Sequence, residues 1–153
     1  MKTSKFVYVI YIRTTPEKLW QALTDPKFVR KYFFGAVQES DWKPGASWQL
    51  KTPDGRVADS GEVLEIEPCR KLVLKWRHEL RAELRAEGHT RMTCEIEKSG
   101  SSVKLTITHE MDRARSKFID GVSEGWPPIL SSLKSLIETG ESLEETRTWP
   151  EEL

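Results

Sequence analysis

From Gly125 to Gly140 the chain carries Trp126, Ile129, Leu130, Leu133 and Ile137 at i, i+3, i+4, i+7 and i+11, with Leu136 beside them. This is one apolar stripe at helical spacing. Lys134, Ser135 and Glu138 face away from it, and Gly140 supplies the left-handed position that ends a helix. A helix this one-sided must be laid on another element, and six strand-like segments precede it, near residues 6–12, 46–51, 56–67, 72–79, 88–98 and 102–111. The expectation is an α+β fold in which a curved antiparallel sheet grips a long C-terminal helix. One domain is expected over residues 1–140, followed by a short acidic tail, 141–153, that packs loosely or frays. Pro127 and Pro128 argue for a kink near Trp126, or for a break at Gly125, within the last helical stretch.

The first strand, Phe6–Ile12, is rich in β-branched and aromatic residues. After it, Thr15-Pro16-Glu17 reads as an N-cap, a tolerated first-turn proline and an acid that suits the positive helix end. Asp25-Pro26 repeats the signal, so two short helices are expected in tandem between the first two strands, the second closing at Gly35. Pro53-Asp54-Gly55 and Ser99-Gly100-Ser101 mark turns between later strands.

Alternation assigns the strand faces. Leu72, Leu74, Trp76 and His78 share one face; so do Met92, Cys94 and Ile96, and so do Val103, Leu105, Ile107, His109 and Met111. Trp48, Leu50, Leu64 and Ile66 extend the apolar side, and lysine, arginine, threonine and glutamate alternate with these residues, as in a sheet covered on one side only. Three polar groups interrupt the inner face: His78, His109 and, if parity runs unbroken through the 56–67 strand, Glu62. Hairpin geometry at Ser99–Ser102 pairs residues whose numbers sum to about 201, which sets His109 opposite Met92. His78 and His109, on alternate strands, would then stand roughly 10 Å apart at the backbone. Each is either a core histidine satisfied by a neighbour or an orienting group in an apolar pocket.

Composition narrows the function classes. Lys plus Arg and Asp plus Glu are each 24, so no broad positive field invites nucleic acid or an anionic membrane surface. Arg77, Arg81, Arg85 and Arg91 are interleaved with Glu79, Glu83 and Glu87, which reads as a solvated, salt-bridged loop or short helix. The longest apolar run, Phe6–Ile12, is too short to span a bilayer, and no secretory pattern opens the chain. Cys69 and Cys94 lack a CxxC spacing and read as two free thiols of a cytoplasmic protein. No metal-ligand set, phosphate-binding loop or paired nucleophile is visible, so no cofactor is expected.

Several segments together resemble the family named after the activator of Hsp90 ATPase. They are Thr15-Pro16-Glu17-Lys18-Leu19-Trp20-Gln21-Ala22-Leu23-Thr24-Asp25-Pro26, Gly61-Glu62-Val63-Leu64-Glu65-Ile66-Glu67-Pro68, Leu72-Val73-Leu74-Lys75-Trp76, and Gly125-Trp126 with Leu130, Leu133 and Leu136. The likeness runs from about Val7 to Gly140. It implies membership of the START-related, Bet v 1-like (SRPBCC) superfamily and a helix-grip fold, which commonly encloses a hydrophobic cavity between sheet and helix. The eukaryotic co-chaperone of that family has an additional N-terminal domain that engages the chaperone. This chain opens directly on the first strand, so the resemblance is expected to carry the fold rather than chaperone activation.

The leading expectation is therefore a binder of a small apolar or aromatic molecule. Its pocket would be lined by Trp48, Leu50, Glu62, Trp76, His78, Met92, Leu105, Ile107, His109, Trp126 and Leu130. The alternatives are an enzyme of cyclase or hydratase type with Glu62 or a pocket histidine as general base, and a protein-interaction module related to Hsp90 co-chaperones or a homodimer, using Phe33, Phe34 and Trp149. Residues 80–88 are expected to form a flap over the end of the pocket where the histidines lie.

Overall fold

The computed structural model of the protein describes residues 3–150. Strand β1 (Ser4–Ile12) leads into α1 (Pro16–Thr24) and α2 (Pro26–Tyr32). Strands β2 (Val37–Ser40), β3 (Ser47–Lys51), β4 (Val57–Glu67) and β5 (Lys71–His78) follow, then the one-turn α3 (Ala82–Arg85), strands β6 (Thr90–Ser99) and β7 (Ser102–Met111), and α4 (Lys117–Thr139). The strands form one curved antiparallel sheet in the order β1-β7-β6-β5-β4-β3-β2, and α4 is the long helix laid on it. This is the helix-grip arrangement expected above, with one strand more than the six foreseen. The extra strand, Val37-Gln38-Glu39-Ser40, is short and mostly polar, and its order comes from pairing with β3.

Local signals place the helices. Thr15 Oγ1 accepts from the Lys18 amide at 3.2 Å and Asp25 Oδ1 from the Lys27 amide at 2.9 Å, so each short helix starts on its own cap. Gly140 closes α4 at a φ of 88°, open to glycine without steric cost. The stripe is buried as its spacing demanded: Leu130, Leu133, Ile129 and Trp126 sit in the core, with Leu136 and Ile137 packed against it.

Two expectations are revised. Of the kink or break foreseen in the last helix, the break at Gly125 does not occur: α4 continues through Pro127 and Pro128. The prolines withdraw the amides that would bond the carbonyls of Ser123 and Glu124, but those residues are half-buried and exposed, within reach of water. Buried anchors on both sides, Phe118 and Ile119 before and Ile129 to Leu133 after, hold the axis by tertiary packing. The tail does not fray over its described part either. Glu144–Thr146 forms a 3-10 turn, the Leu143 amide donates to Ser132 Oγ at 2.9 Å, and the Phe34 amide donates to the Thr146 carbonyl at 2.7 Å. Residues 151–153 of that tail lie outside the described residues.

Register explains a third difference. The β6–β7 hairpin pairs Met92 with His109, as its turn implied. In β4, however, pairing steps from Val63–Leu74 to Glu65–Val73, leaving Leu64 as an extra residue, a β-bulge. Parity therefore reverses. Glu62 pairs with Lys75 on the outer face, and Asp59 and Gly61 take the inner one beside His78 and Trp76. Gly61 also pairs with Trp48. A Cβ on Gly61 would stand 1.6 Å from the Lys75 carbonyl oxygen, and with no side chain there the indoles of Trp48 and Trp76 meet at 4.4 Å between centroids. Gly61→Ala should destabilise the protein by about 3 kcal/mol, measurable as a lower urea midpoint with an unchanged slope.

Candidate functional site

The N-terminal half of α4, the end of β5 and the segment after it enclose a cavity of about 210 Å³. Its walls are Phe33 and Phe34 after α2, Asp59 on β4, Trp76 and His78 on β5, Leu84 on α3, Phe118, Val122, Trp126 and Ile129 on α4, and Trp149; Arg81, Glu83 and Lys117 stand at its margin. Val122 and Phe118 continue the α4 stripe one and two turns before Trp126, so extending the periodicity upstream of Gly125 would have found them.

The expected lining divides in two. Trp76, His78 and Trp126 reach this cavity. Trp48, Leu50, Met92, Ile107 and Leu130 instead surround a separate interior gap of about 40 Å³, to which Trp76 and Trp126 also contribute. That gap is close to a single water's share of liquid volume, so these side chains are core. Leu105 and His109 are fully buried and line neither space. Glu62 is excluded by the bulge, which leaves a carboxylate base at that position facing away from the cavity; Asp59 occupies the inward place. Phe33, Phe34 and Trp149, candidates for an interaction surface, are cavity walls.

The inward polar groups have defined partners. Trp126 Nε1 donates to His109 Nδ1 at 3.2 Å, and an indole nitrogen can only donate. The His109 proton therefore sits on Nε2, 2.8 Å from Thr90 Oγ1, whose hydroxyl donates in turn to the Trp76 carbonyl at 2.9 Å. Every side-chain polar atom in this relay has a partner. Trp76 Nε1 donates to Asp59 Oδ1 at 2.9 Å, and His78 Nδ1 lies 3.1 Å from the same oxygen. Aromatic rings fill the space around them: His109 is 5.2 Å from Trp76 and 5.3 Å from Phe118, and His78 is 6.1 Å from Phe118, between centroids.

Residues 79–89 close one side of the cavity through α3 rather than as a hairpin. Ion pairs lace its surface, Arg77 to Glu79 at 2.7 Å, Arg85 to Glu79 at 3.4 Å and Arg81 to Glu83. Glu87 behaves differently. Its side chain is buried and accepts from Ser116 Oγ at 2.6 Å and from the amides of Lys117 and Phe118, the first turn of α4. Burial would raise its pKa, but those donors and the Arg113 charge outweigh it and hold the carboxyl below its usual range.

The family model described as "Activator of Hsp90 ATPase homolog 1-like protein" matches residues 13–138. The chain belongs to this family. No curated protein matches it. Among solved structures, CalU16 from Micromonospora echinospora is 20% identical with a TM-score of 0.74, over 94% of this chain and 80% of that one. The Aha1 dimer from Colwellia psychrerythraea is 19% identical with a TM-score of 0.74, over 91% and 99% of the two chains. An HSP90 activator from Plasmodium falciparum is 24% identical with a TM-score of 0.70, over 87% and 95%. At these identities the structures speak to the fold alone. Among the described residues of this AHSA1-like chain, no helix is long and apolar enough to cross a membrane.

Burial also sets the charge states within the core of this family member. It pushes the Cys94 thiol up to about 12, leaving an inert thiol, and the His109 imidazole down to about 3. The unfolded chain binds a proton at His109 below its ordinary value of about 6.5, and the folded one does not until near 3. Stability linked to His109 is thus complete above about pH 6.5 and is lost as pH falls, by about 1.4 kcal/mol per pH unit. Urea unfolding between pH 7.5 and 5 should show this slope, and His109→Gln should flatten it.

Proposed function

We propose that this protein binds a small, flat, predominantly apolar molecule in the cavity between α4 and the end of β5. The observation that carries the reading is the cavity itself: about 210 Å³ walled chiefly by aromatic and aliphatic side chains from several elements. A dry apolar cavity of about 150 Å³ already accepts a benzene ring, so this one suits one or two fused rings. Burying about 250 Å² of ligand apolar surface contributes roughly 6 kcal/mol before the cost of immobilisation, which corresponds to a dissociation constant in the tens of micromolar or weaker. The ring faces of Trp76, Trp126 and Phe118 offer edge and stacking contacts to an aromatic guest.

Gly125 gives a clean test. It lies in the cavity wall, and a Cβ there meets nothing within 4 Å. Gly125→Leu should fill the space while gaining about 0.5–1 kcal/mol from replacing a helical glycine. The expected result is a raised melting temperature together with loss of naphthalene binding by calorimetry, and loss of any small molecule that native mass spectrometry finds on gently purified wild type. Unaltered binding in that variant would remove the cavity as the site.

Self-association is a second reading, favoured by the outer face of β1. Val7, Val9 and Tyr11, exposed by 44–49%, are the large apolar side chains left most open to solvent among the described residues. They alternate along an edge strand, and the Aha1 protein from Colwellia psychrerythraea is described as a dimer. A second copy of this chain is the occupant proposed for that stripe. Sedimentation at about 50 µM should then give a dimer for wild type and a monomer for Val9→Lys, a charge that such an interface would not accept; a wild-type monomer rejects the idea.

A further inference from the structure

Among the described residues, two buried side-chain polar atoms lack any hydrogen-bond partner, and one of them is His78 Nε2. Its residue stands in the wall of the cavity and is 7% exposed, as is Asp59 beside it. Buried polar groups without partners are rare and call for an explanation. Here the other end of the ring is fully specified. A carboxylate only accepts, so the proton in the 3.1 Å contact with Asp59 Oδ1 belongs to His78 Nδ1. The same oxygen also takes the Trp76 indole N–H at 2.9 Å, which fixes the carboxylate in place. In the neutral imidazole that leaves a lone pair on Nε2, at the far side of the ring from Asp59. His109 makes the contrast plain, since both its nitrogens are occupied by protein groups.

We propose that Asp59 and His78 recognise a hydroxyl on the bound molecule, with His78 Nε2 accepting a hydrogen bond from a phenolic or enolic O–H of an aromatic ligand. This deepens the cavity reading above and rests on it. The Phe118 ring packs beside the imidazole at 6.1 Å between centroids, and both residues line the cavity. An acidic hydroxyl matches the rest of the wall. The guest's rings lie against Trp76 and Phe118, while at the margin Arg81 and Lys117 favour, and Glu83 opposes, the negative charge that such an oxygen carries when its proton is shared. Asp59 never touches the ligand in this scheme; it is a positioning residue that fixes the tautomer and the orientation of the ring, as carboxylates paired with histidine do.

The test compares naphthalene, 2-naphthol and 2-acetylnaphthalene by calorimetry on wild type, His78→Phe and Asp59→Asn. Wild type should bind 2-naphthol at least ten-fold tighter than naphthalene. His78→Phe should bind the two equally, with naphthalene affinity held within about two-fold, and Asp59→Asn should reduce the preference without abolishing it. In wild type the ¹⁵N resonance of His78 Nε2 should move upfield with 2-naphthol and stay put with naphthalene, a signature that remains readable even if His78→Phe does not fold. Equal wild-type affinity for naphthol and naphthalene overturns this inference and leaves the cavity reading standing. A preference for the acetyl compound means that Nε2 donates rather than accepts, and overturns it too. Failure of all three probes to bind overturns the cavity reading and this one with it.

Discussion

The extra residue at Leu64 decides which chemistry β4 offers to the interior. By leaving Leu64 out of the pairing with β5, the bulge turns Glu62 outward and brings Asp59 and Gly61 inward. Gly61 then lets Trp48 and Trp76 close over the strand, and Asp59 receives the Trp76 indole N–H and the His78 ring. Without the bulge, Glu62 would stand opposite Trp76 on the inner face and Asp59 would face outward. One insertion thus couples the packing of the aromatic core to the polar equipment of the cavity.

The sheet's interior shows two solutions to the burial of an imidazole. His109 is a link in a closed chain from Trp126 through Thr90 to the Trp76 carbonyl, and it stays neutral because burial disfavours its charge. His78 has a carboxylate on one side and an unpartnered nitrogen on the other. The first arrangement ties β7, β6, β5 and α4 together and adds specificity to the core. The second is the kind of local incompleteness that natural structures concentrate at places where they meet something else.

Much of the fold could be read before any coordinate was known, for reasons that are local. Thr15, Asp25 and Gly140 act through their own backbone neighbours, so their sequence signals sufficed. The β6–β7 register followed from a short turn, which leaves little freedom in pairing. What escaped was non-local. A bulge is a property of two strands, and alternation along β4 alone gives the wrong parity at Glu62. Strand β2 owes its order to β3, and the unbroken passage of α4 through its prolines owes to packing on either side. The candidate lining divides between two spaces for a related reason: Trp48, Leu50, Met92 and Ile107 point inward as alternation requires, but how much space an inward residue meets depends on curvature that no single strand encodes.

The segment over the cavity is pinned at both ends. Glu79 is bound to Ser60 and Arg77 at one end, and Glu87 is plugged into the first turn of α4 at the other. Between them only a one-turn helix and its flanking side chains remain, with Arg81 and Glu83 at the margin. A guest of the kind proposed would cross that margin on rotations of exposed side chains, which take picoseconds to nanoseconds, rather than on a backbone excursion of microseconds or longer. Exchange of a guest would be fast and governed by how tightly the interior holds it, so residence time, rather than access, would carry the selectivity.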